Sequence, residues 1–211
     1  MQYQALNQPV LSLIPGSAKR LLDLGCGTGS MGREIKRNIE CEVVGVTYSE
    51  AEAASARVWL DQVVVSNLNE FDGQGLGAFD CIICSHILEH LYAPEELLLR
   101  LRERLAPDGV LIIALPNVLY WKQRLEFMRG RFRYSDGGLM DRTHYRFFDF
   151  ETSLALVRGA GFEVLVKMAD GHLPMPFLRS RLSTIASRCD RLASKLIPGL
   201  CAIQFIIVAR K

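Results

Sequence analysis

The sequence lacks several features that would assign it to a specialised class of protein. Its 211 residues contain no apolar run of about 20 residues, the length that a membrane-spanning helix needs. The first 20 residues lack the basic start and apolar core of a signal peptide. The formal net charge is only +2, which gives no reason to expect nucleic-acid binding. We therefore predict one soluble globular domain over residues 1–211.

The six cysteines do not form a metal-binding pattern. Cys81 and Cys84 make the only Cys-x-x-Cys pair, and they lie inside "FDCIICSH", which has the pattern of a buried strand. Residues three apart on a strand point to opposite faces, so the two sulfurs cannot bind one ion. We predict no metal site, buried free cysteines in a reducing compartment, and a cytoplasmic location.

Apolar segments alternate with helical segments along the first 116 residues. Strands are predicted at 20–24, 42–47, 62–67, 78–85 and 109–116, and helices at 30–39, 49–60 and 94–105. A further helix near 150–160 precedes strands at 162–168 and 201–210. Because the strands are continuously apolar rather than alternating, they indicate an α/β fold whose mostly parallel sheet is covered by helices on both faces.

A glycine-rich turn, "GCGTG", directly follows the first strand in "RLLDLGCGTG". Glycine in such a turn permits a close approach by a ligand or another backbone segment, and ligands of open α/β sheets bind at this edge. The NAD fingerprint would need glycine at position 30, where the chain has Ser30. No Gly-Lys-Ser/Thr phosphate loop is present either. The turn therefore lacks the features that are specific to pyrophosphate or triphosphate binding.

The segments "LLDLGCGTG", "VVGVTYSEAEAASA", "FDCIICSHILEHL" and "LRERLAPDGVLIIALPN" together resemble the motif series of class I S-adenosylmethionine-dependent methyltransferases. The resemblance covers about residues 15–117, with the motifs in the expected order and spacing. It implies a Rossmann-like, seven-stranded sheet whose last strand is antiparallel to the rest. It also implies S-adenosylmethionine as cofactor and S-adenosylhomocysteine as product.

The same resemblance implies a cofactor pocket formed by Asp23, Gly25, Cys26, Gly27, Gly29, Thr47, Glu52, Asn67, Leu68 and Ser85. Asp23 would balance the α-ammonium group, the alternative being an ordinary turn acid. Thr47 stands where an acid commonly binds the ribose. Cyclopropane-fatty-acid synthases share Gly-Val-Thr-x-Ser at this point, which assigns the ribose contact to Glu52; a solvated surface glutamate is the alternative. Asn67 would accept a hydrogen bond from the adenine amino group.

An oxygen acceptor would need a base to take its proton. His144 is the predicted base, with His86 beside the expected methyl position as a second candidate. His90 is interpreted as a structural helix residue, and His172 receives no role. Residues near the strand ends and in the following insertion are predicted to contact the acceptor: Asn117, Arg142 and Tyr145.

Residues 118–148 form a predicted acceptor-side insertion that is rich in basic and aromatic residues. Seven lysines and arginines stand against three acids, which gives +4 in a chain of net charge +2. Such a surface suits an anionic small molecule such as a nucleotide-sugar, a phosphorylated glycan or a lipid phosphate, the alternative being a solvated basic face. The segment from "GRFRYSDGGLMDRTHYRFF" to "GAGFEV" also resembles methyltransferase domains found beside glycosyltransferases of bacterial surface polysaccharides, which supports a glycan acceptor.

A second predicted insertion spans 172–199, where residues 174–196 form a basic amphipathic segment. We expect it to cover a sheet face, with membrane binding as the alternative.

The leading function is O-methylation of a saccharide, nucleotide-sugar or other small anionic metabolite. The alternatives are methylation of a lipid, quinone or aromatic metabolite, or a non-catalytic role as the cofactor-binding partner of a glycosyltransferase. The oligomeric state is not predicted.

Overall fold

The computed structural model describes residues 6–173 and 175–211, without the side chains of residues 176, 178 and 179. Its centre is one seven-stranded sheet in the order β3-β2-β1-β4-β5-β7-β6. The strands are β1 Arg20–Leu24, β2 Glu42–Thr47, β3 Gln62–Val65, β4 Phe79–Ser85, β5 Leu105–Pro116, β6 Glu163–Asp170 and β7 Gln204–Arg210.

Only β7, the last strand along the chain, is antiparallel to both of its neighbours in the sheet. The pairs β1–β2, β2–β3, β1–β4 and β4–β5 are parallel, whereas β7 is antiparallel to both β5 and β6. The strand order reverses between β1 and β4, and a crevice at such a reversal is where open α/β sheets bind ligands. The predicted Rossmann-like methyltransferase fold is confirmed.

Helices cover the sheet on both faces, as predicted. They are α1 Gln8–Leu11, α2 Ser30–Asn38, α3 Glu50–Ala56, α4 Pro94–Arg104, α5 Trp121–Met128, α6 Phe150–Gly159, α7 Pro176–Arg181, α8 Ser183–Leu196 and α9 Pro198–Cys201, with a short 3-10 helix at Leu88–His90. Two apolar clusters form the core, one on each face of the sheet. Cys84 belongs to one cluster and Cys81 to the other, which confirms that these thiols point in opposite directions.

Several predicted boundaries are wrong near turn-forming residues. The third strand ends at Val65 rather than 67, so Asn67 lies in the turn beyond it. The predicted helix at 49–60 ends at Ala56, although Ser49 caps its start by accepting from the Glu52 amide. The last strand begins at Gln204 rather than 201, because Pro198, which suits a first helical position, starts a helical turn there.

The described leucines of the segment at 174–196, Leu182, Leu192 and Leu196, are exposed and do not cover the sheet. Helix α8 contacts β6, but its buried residues are Ala186, Asp190 and Ser194. The exposed residues of the segment include the apolar side chains Leu182, Ile185, Leu192 and Leu196. Position 174 and the side chains of Leu178 and Arg179 lie outside the described residues. Among the described helices, none has the length and apolar character needed to cross a bilayer. Membrane-surface binding by residues 174–196 stays the untested alternative.

Candidate active site

The three glycines of the turn after β1 adopt the left-handed backbone conformation. The φ angles are +73° at Gly25, +52° at Gly27 and +81° at Gly29. The amides of Gly25 and Cys26 both donate to the carbonyl of Val46, which ties the turn to the end of β2. A Cβ atom at position 25 would overlap the Ile87 side chain, and one at position 29 would lie 3.1 Å from Ala56 Cα. Glycine at 25 and 29 therefore also serves the packing of the protein itself.

Asp23, near the end of β1, carries a buried carboxylate that lacks a full set of partners. The residue is 3% exposed, and its Oδ2 atom has no hydrogen-bond partner among the described residues. Burial raises the pKa of Asp23 to about 7. A buried, unpaired carboxylate beside an open glycine turn fits the α-ammonium group that the resemblance predicts there.

The end of β2 brings two predicted cofactor residues together. The Thr47 hydroxyl donates to Glu52 Oε2 over 2.6 Å, which fixes the Glu52 carboxylate at this edge of the sheet. The pairing agrees with the one implied by the resemblance to cyclopropane-fatty-acid synthases.

Beyond β3, Asn67 Oδ1 already accepts from the amide and the side chain of Asn69. Because both acceptor positions are used, the predicted hydrogen bond from an adenine amino group is weakened. Leu68 is half-buried against the core.

His86 follows β4 in a conformation that is unusual for a residue with a side chain. Its φ angle is +55°, and its neighbour Ser85 accepts from the Asn7 side chain. The His86 Nε2 atom lies 2.9 Å from Gln204 Oε1, and Nδ1 lies 3.3 Å from Glu89 Oε1. Since both oxygens are acceptors, both ring nitrogens carry protons in this arrangement. Burial alone would lower the pKa of His86, but the hydrogen bond and charge of Glu89 outweigh it and raise the pKa. A doubly protonated ring is a poor base, so the geometry argues against that role for His86.

A cavity of about 420 Å³ opens next to His86, at the carboxyl ends of β4 and β5. Residues 138–144 of the insertion and residues 6–9 of the N-terminal region help to enclose it. Its polar lining consists of Asn7, Gln8, His86, Glu89, His90, Asp141, His144, Asp170 and Gln204. Ile87, which follows the cavity residue His86 in the chain, covers Gly25 of the glycine turn. The cavity therefore lies at the carboxyl edge of the sheet, where open α/β sheets bind their ligands.

His144 lies in the cavity wall with a defined protonation pattern. The residue is buried, and Nδ1 is 3.3 Å from the carbonyl oxygen of Leu139. Because a carbonyl can only accept, Nδ1 carries the proton and Nε2 has the lone pair. Burial lowers the pKa of His144, which favours the neutral ring. The structure thus brings His144 and His86 to one cavity. Of these two histidines, only His144 has a ring nitrogen that is free to accept a proton.

The three predicted acceptor contacts do not line this cavity. The buried Asn117 amide donates to the carbonyls of Gly199 and Ala202, and its oxygen accepts from the Leu119 amide. This side chain joins the end of β5 to the turn before β7, so its role is structural. Arg142 is exposed and pairs with Asp136 at 2.8 Å. Tyr145 is more than half exposed and packs its ring against that of Tyr92.

The sequence interpretation misses residues that only tertiary contacts bring to the cavity. It gives no role to Glu89 and treats His90 as structural. Gln204 accepts from His86 and donates to Asp170, which couples β4, β6 and β7. The adjacent pair Glu89-His90 is a local signal for polar chemistry, but nothing in the sequence links it to His144, 54 positions later.

Comparison with known proteins identifies the family. Residues 2–167 match the family model described as a methyltransferase domain. A mitochondrial ubiquinone biosynthesis O-methyltransferase of Schizosaccharomyces pombe is 30% identical over 104 residues, which cover 46% of this chain and 38% of that protein. A trans-aconitate 2-methyltransferase of Variovorax paradoxus is 36% identical over 114 residues, which cover 52% and 44%. The matched region thus spans less than half the length of these curated relatives.

Solved structures agree on the fold. An S-adenosylmethionine-dependent methyltransferase from Archaeoglobus fulgidus superposes with a TM-score of 0.66 at 21% identity, covering 93% of this chain and 87% of the other. A 1,6-didemethyltoxoflavin-N1-methyltransferase of Burkholderia thailandensis, solved with its substrate and S-adenosylhomocysteine, gives a TM-score of 0.61 at 22% identity, covering 97% and 77%. The chain belongs to the methyltransferase domain family and has the fold of S-adenosylmethionine-dependent methyltransferases.

Proposed function

We propose that this chain methylates a hydroxyl oxygen of a hydroxyl-rich small molecule, such as a saccharide or the sugar of a nucleotide-sugar, with S-adenosylmethionine as donor. The lining of the cavity carries the proposal. It combines histidines, carboxylates and the Gln204 amide, and no lysine or arginine among the described residues lines it. Sugar hydroxyls both donate and accept hydrogen bonds, and carboxylate, amide and imidazole groups are partners of both kinds.

The residues at the end of β1 and β2 fit the methyl donor. S-adenosylmethionine supplies a methyl group on a positively charged sulfur, which an oxygen nucleophile can take. In our proposal Asp23 balances the α-ammonium group with its unpaired oxygen, and Glu52, held by Thr47, binds the ribose hydroxyls. The glycine turn gives the amino-acid end of the donor close access to the backbone.

In our proposal, the cavity contributes to catalysis mainly by positioning the acceptor. Holding an acceptor hydroxyl in line with the methyl group, in a space shielded from bulk water, supplies most of the rate gain that such a transfer needs. Replacing His144 should lower turnover without changing cofactor affinity, because His144 belongs to the cavity and not to the glycine turn. The base role of His144 stays a prediction.

Two other acceptor classes follow from the relatives. The name of the Schizosaccharomyces pombe relative supports the quinone or aromatic alternative, and that of the Variovorax paradoxus relative supports a small anion. The cavity argues against a directly bound anion, because Glu89, Asp141 and Asp170 line it and the protonated His86 ring in the described lining already pairs with Glu89. The basic groups of the insertion could contact an anionic part that stays outside, such as the phosphates of a nucleotide-sugar.

The test is to incubate the chain with methyl-labelled S-adenosylmethionine and three acceptor panels: neutral saccharides with nucleotide-sugars, polyhydroxylated aromatics and quinone precursors, and tricarboxylates including trans-aconitate. We expect label in the first panel. Label confined to the second or third panel would overturn the acceptor class. Tight S-adenosylhomocysteine binding without label in any panel or in fractionated bacterial extract would instead favour the non-catalytic partner role.

A further inference from the structure

Three side chains with ligand chemistry converge in the wall of the cavity. Glu89 and His90 lie in the short 3-10 helix after β4, and His144 lies in the insertion. One ligand atom from each residue lies within 4.8 Å of those from the other two. The amides of Tyr145 and Arg146 both donate to the Glu89 carbonyl, which fastens the insertion to the 3-10 helix. The convergence is therefore held by the backbone.

The hydrogen bonds around His90 fix its protonation pattern. Its Nδ1 atom lies 3.2 Å from the Thr143 carbonyl and 3.1 Å from the Thr143 hydroxyl. That hydroxyl donates its own proton to Asp141 Oδ1 over 2.7 Å, so it can only accept from His90. Nδ1 of His90 therefore carries a proton, and in the neutral tautomer of the ring the lone pair lies on Nε2. His144 has the same pattern through the Leu139 carbonyl.

Glu89 adds a third electron-rich atom to this pair of imidazoles. The residue is 1% exposed, and its Oε2 atom has no hydrogen-bond partner within the described part of the chain. The groups that face the cluster are His86, which pairs with Glu89 Oε1, and Asp141, which accepts from Thr143. A buried carboxylate oxygen without a hydrogen-bond donor is costly, and neither neighbouring imidazole donates to this one in the structure.

From this geometry we infer that Glu89, His90 and His144 bind a divalent transition-metal ion of the zinc class. Two imidazole nitrogens and one carboxylate are a ligand set of catalytic zinc sites, in which a further position stays open for water or substrate. In both histidines a backbone carbonyl accepts from Nδ1, and such a carbonyl is a common partner that orients a metal-bound histidine. The open position faces the cavity. The ion also adds positive charge to a described lining in which Glu89, Asp141 and Asp170 stand against the protonated His86 ring.

The ion changes the role of His144. As a ligand, its Nε2 lone pair binds the metal and cannot act as the base, so His144 holds the ion that contacts the acceptor. A hydroxyl bound to the metal would have a lowered pKa, so it would release its proton to water and the transfer would need no side-chain base. The metal site rests on the side-chain cluster and does not depend on the proposed acceptor or on methyl transfer.

The test is a titration of the untagged, chelator-treated full chain with Co²⁺, followed by its visible absorption. We expect one ion per chain and a spectrum without the intense sulfur-to-cobalt band that cysteine ligands would give. Glu89→Gln, His90→Gln and His144→Gln should each weaken binding by about ten-fold or more. His172→Ala is the matched control, because it removes a histidine outside the cluster, and it should bind Co²⁺ like the wild type.

Thermal unfolding distinguishes a lost site from a misfolded variant. Zn²⁺ at about a hundred times the wild-type dissociation constant should raise the wild-type Tm by about 5–10 °C and the Tm of Glu89→Gln by about half as much or less. S-adenosylhomocysteine affinity, measured in parallel, should stay the same in all variants. A stoichiometry well below one, a thiolate spectrum, or equal binding by wild type and all three cluster variants would mean an adventitious ion only and would overturn the inference.

Discussion

The two ends of the candidate active site are built in different ways. At the cofactor end, Asp23 and the glycine turn are consecutive in sequence, and Thr47 and Glu52 follow on the next strand and helix. At the acceptor end, the wall combines residues from Asn7 to Gln204, which lie almost the whole chain apart. The first end is a local motif that can be recognised from sequence, whereas the second exists only after the chain has folded.

The two ends also differ in how their buried charge is compensated. Asp23 has an unpaired oxygen in a region of buried thiols, whose pKa values are raised by burial so that Cys26, Cys81 and Cys84 stay neutral. Glu89 also has an unpaired oxygen, but its other oxygen pairs with His86 and two more histidines lie close by. An unpaired carboxylate in apolar surroundings suits an organic cation, and one among imidazoles suits a metal ion.

The largest effect on cofactor binding is expected from a substitution that fills the glycine turn. Gly27→Val should weaken S-adenosylhomocysteine binding by about a hundred-fold or more, because a branched side chain fills the turn and disfavours its φ of +52°. Isothermal titration calorimetry measures the loss. Gly75→Val is the control, since Gly75 has a φ of +76° and a Cβ atom there would have no neighbour within 4 Å. Equal affinity in the Gly27 variant and the wild type would remove the turn from the cofactor site.

A smaller effect is expected from pH at the same end. The α-ammonium group favours ionised Asp23, so binding below pH 7 must first remove a proton from the carboxyl group. We expect S-adenosylhomocysteine affinity to rise about ten-fold from pH 6 to pH 8 in the wild type. Asp23→Asn should bind more weakly and show a flatter profile. Parallel profiles for the two proteins would contradict the assignment of Asp23.

The same carboxyl group predicts the direction of a stability change. Its pKa is 3.8 in the unfolded chain and about 7 when folded, so the folded state holds the proton more tightly. This contribution to stability is complete below about pH 4 and is lost as the pH rises to about 7. Asp23→Asn, which cannot ionise, should therefore gain stability relative to the wild type over that range. Urea unfolding at pH 5 and pH 8 measures the difference.

The contrast between the ends explains what the sequence can predict. Strands β1, β2, β4 and β5 can be predicted because continuous apolar runs are typical of buried parallel strands. The glycine turn can be predicted because its residues are adjacent in the sequence. The sequence assigns Asn117 to the acceptor because the hydrogen-bond partners of this side chain, Gly199 and Ala202, lie more than 80 positions away. His90 does lie in a short helix, as predicted, but its contacts with Thr143 and His144 are set by folding and cannot be read from the sequence.

The smallest effect is expected at the basic surface of the insertion. Arg142 and Asp136 form an exposed pair outside the cavity, and exposed pairs contribute little because water screens them. Arg142→Ala should change the free energy of unfolding by less than about 0.5 kcal/mol. It should also change the acceptor KM by less than about two-fold, as should Arg129→Ala, which breaks the comparable pair with Glu126. A KM rise of about ten-fold in Arg142→Ala alone would mean that the acceptor extends from the cavity onto the insertion. The insertion would then bind an anionic part of the acceptor, while the cavity holds the part that is methylated.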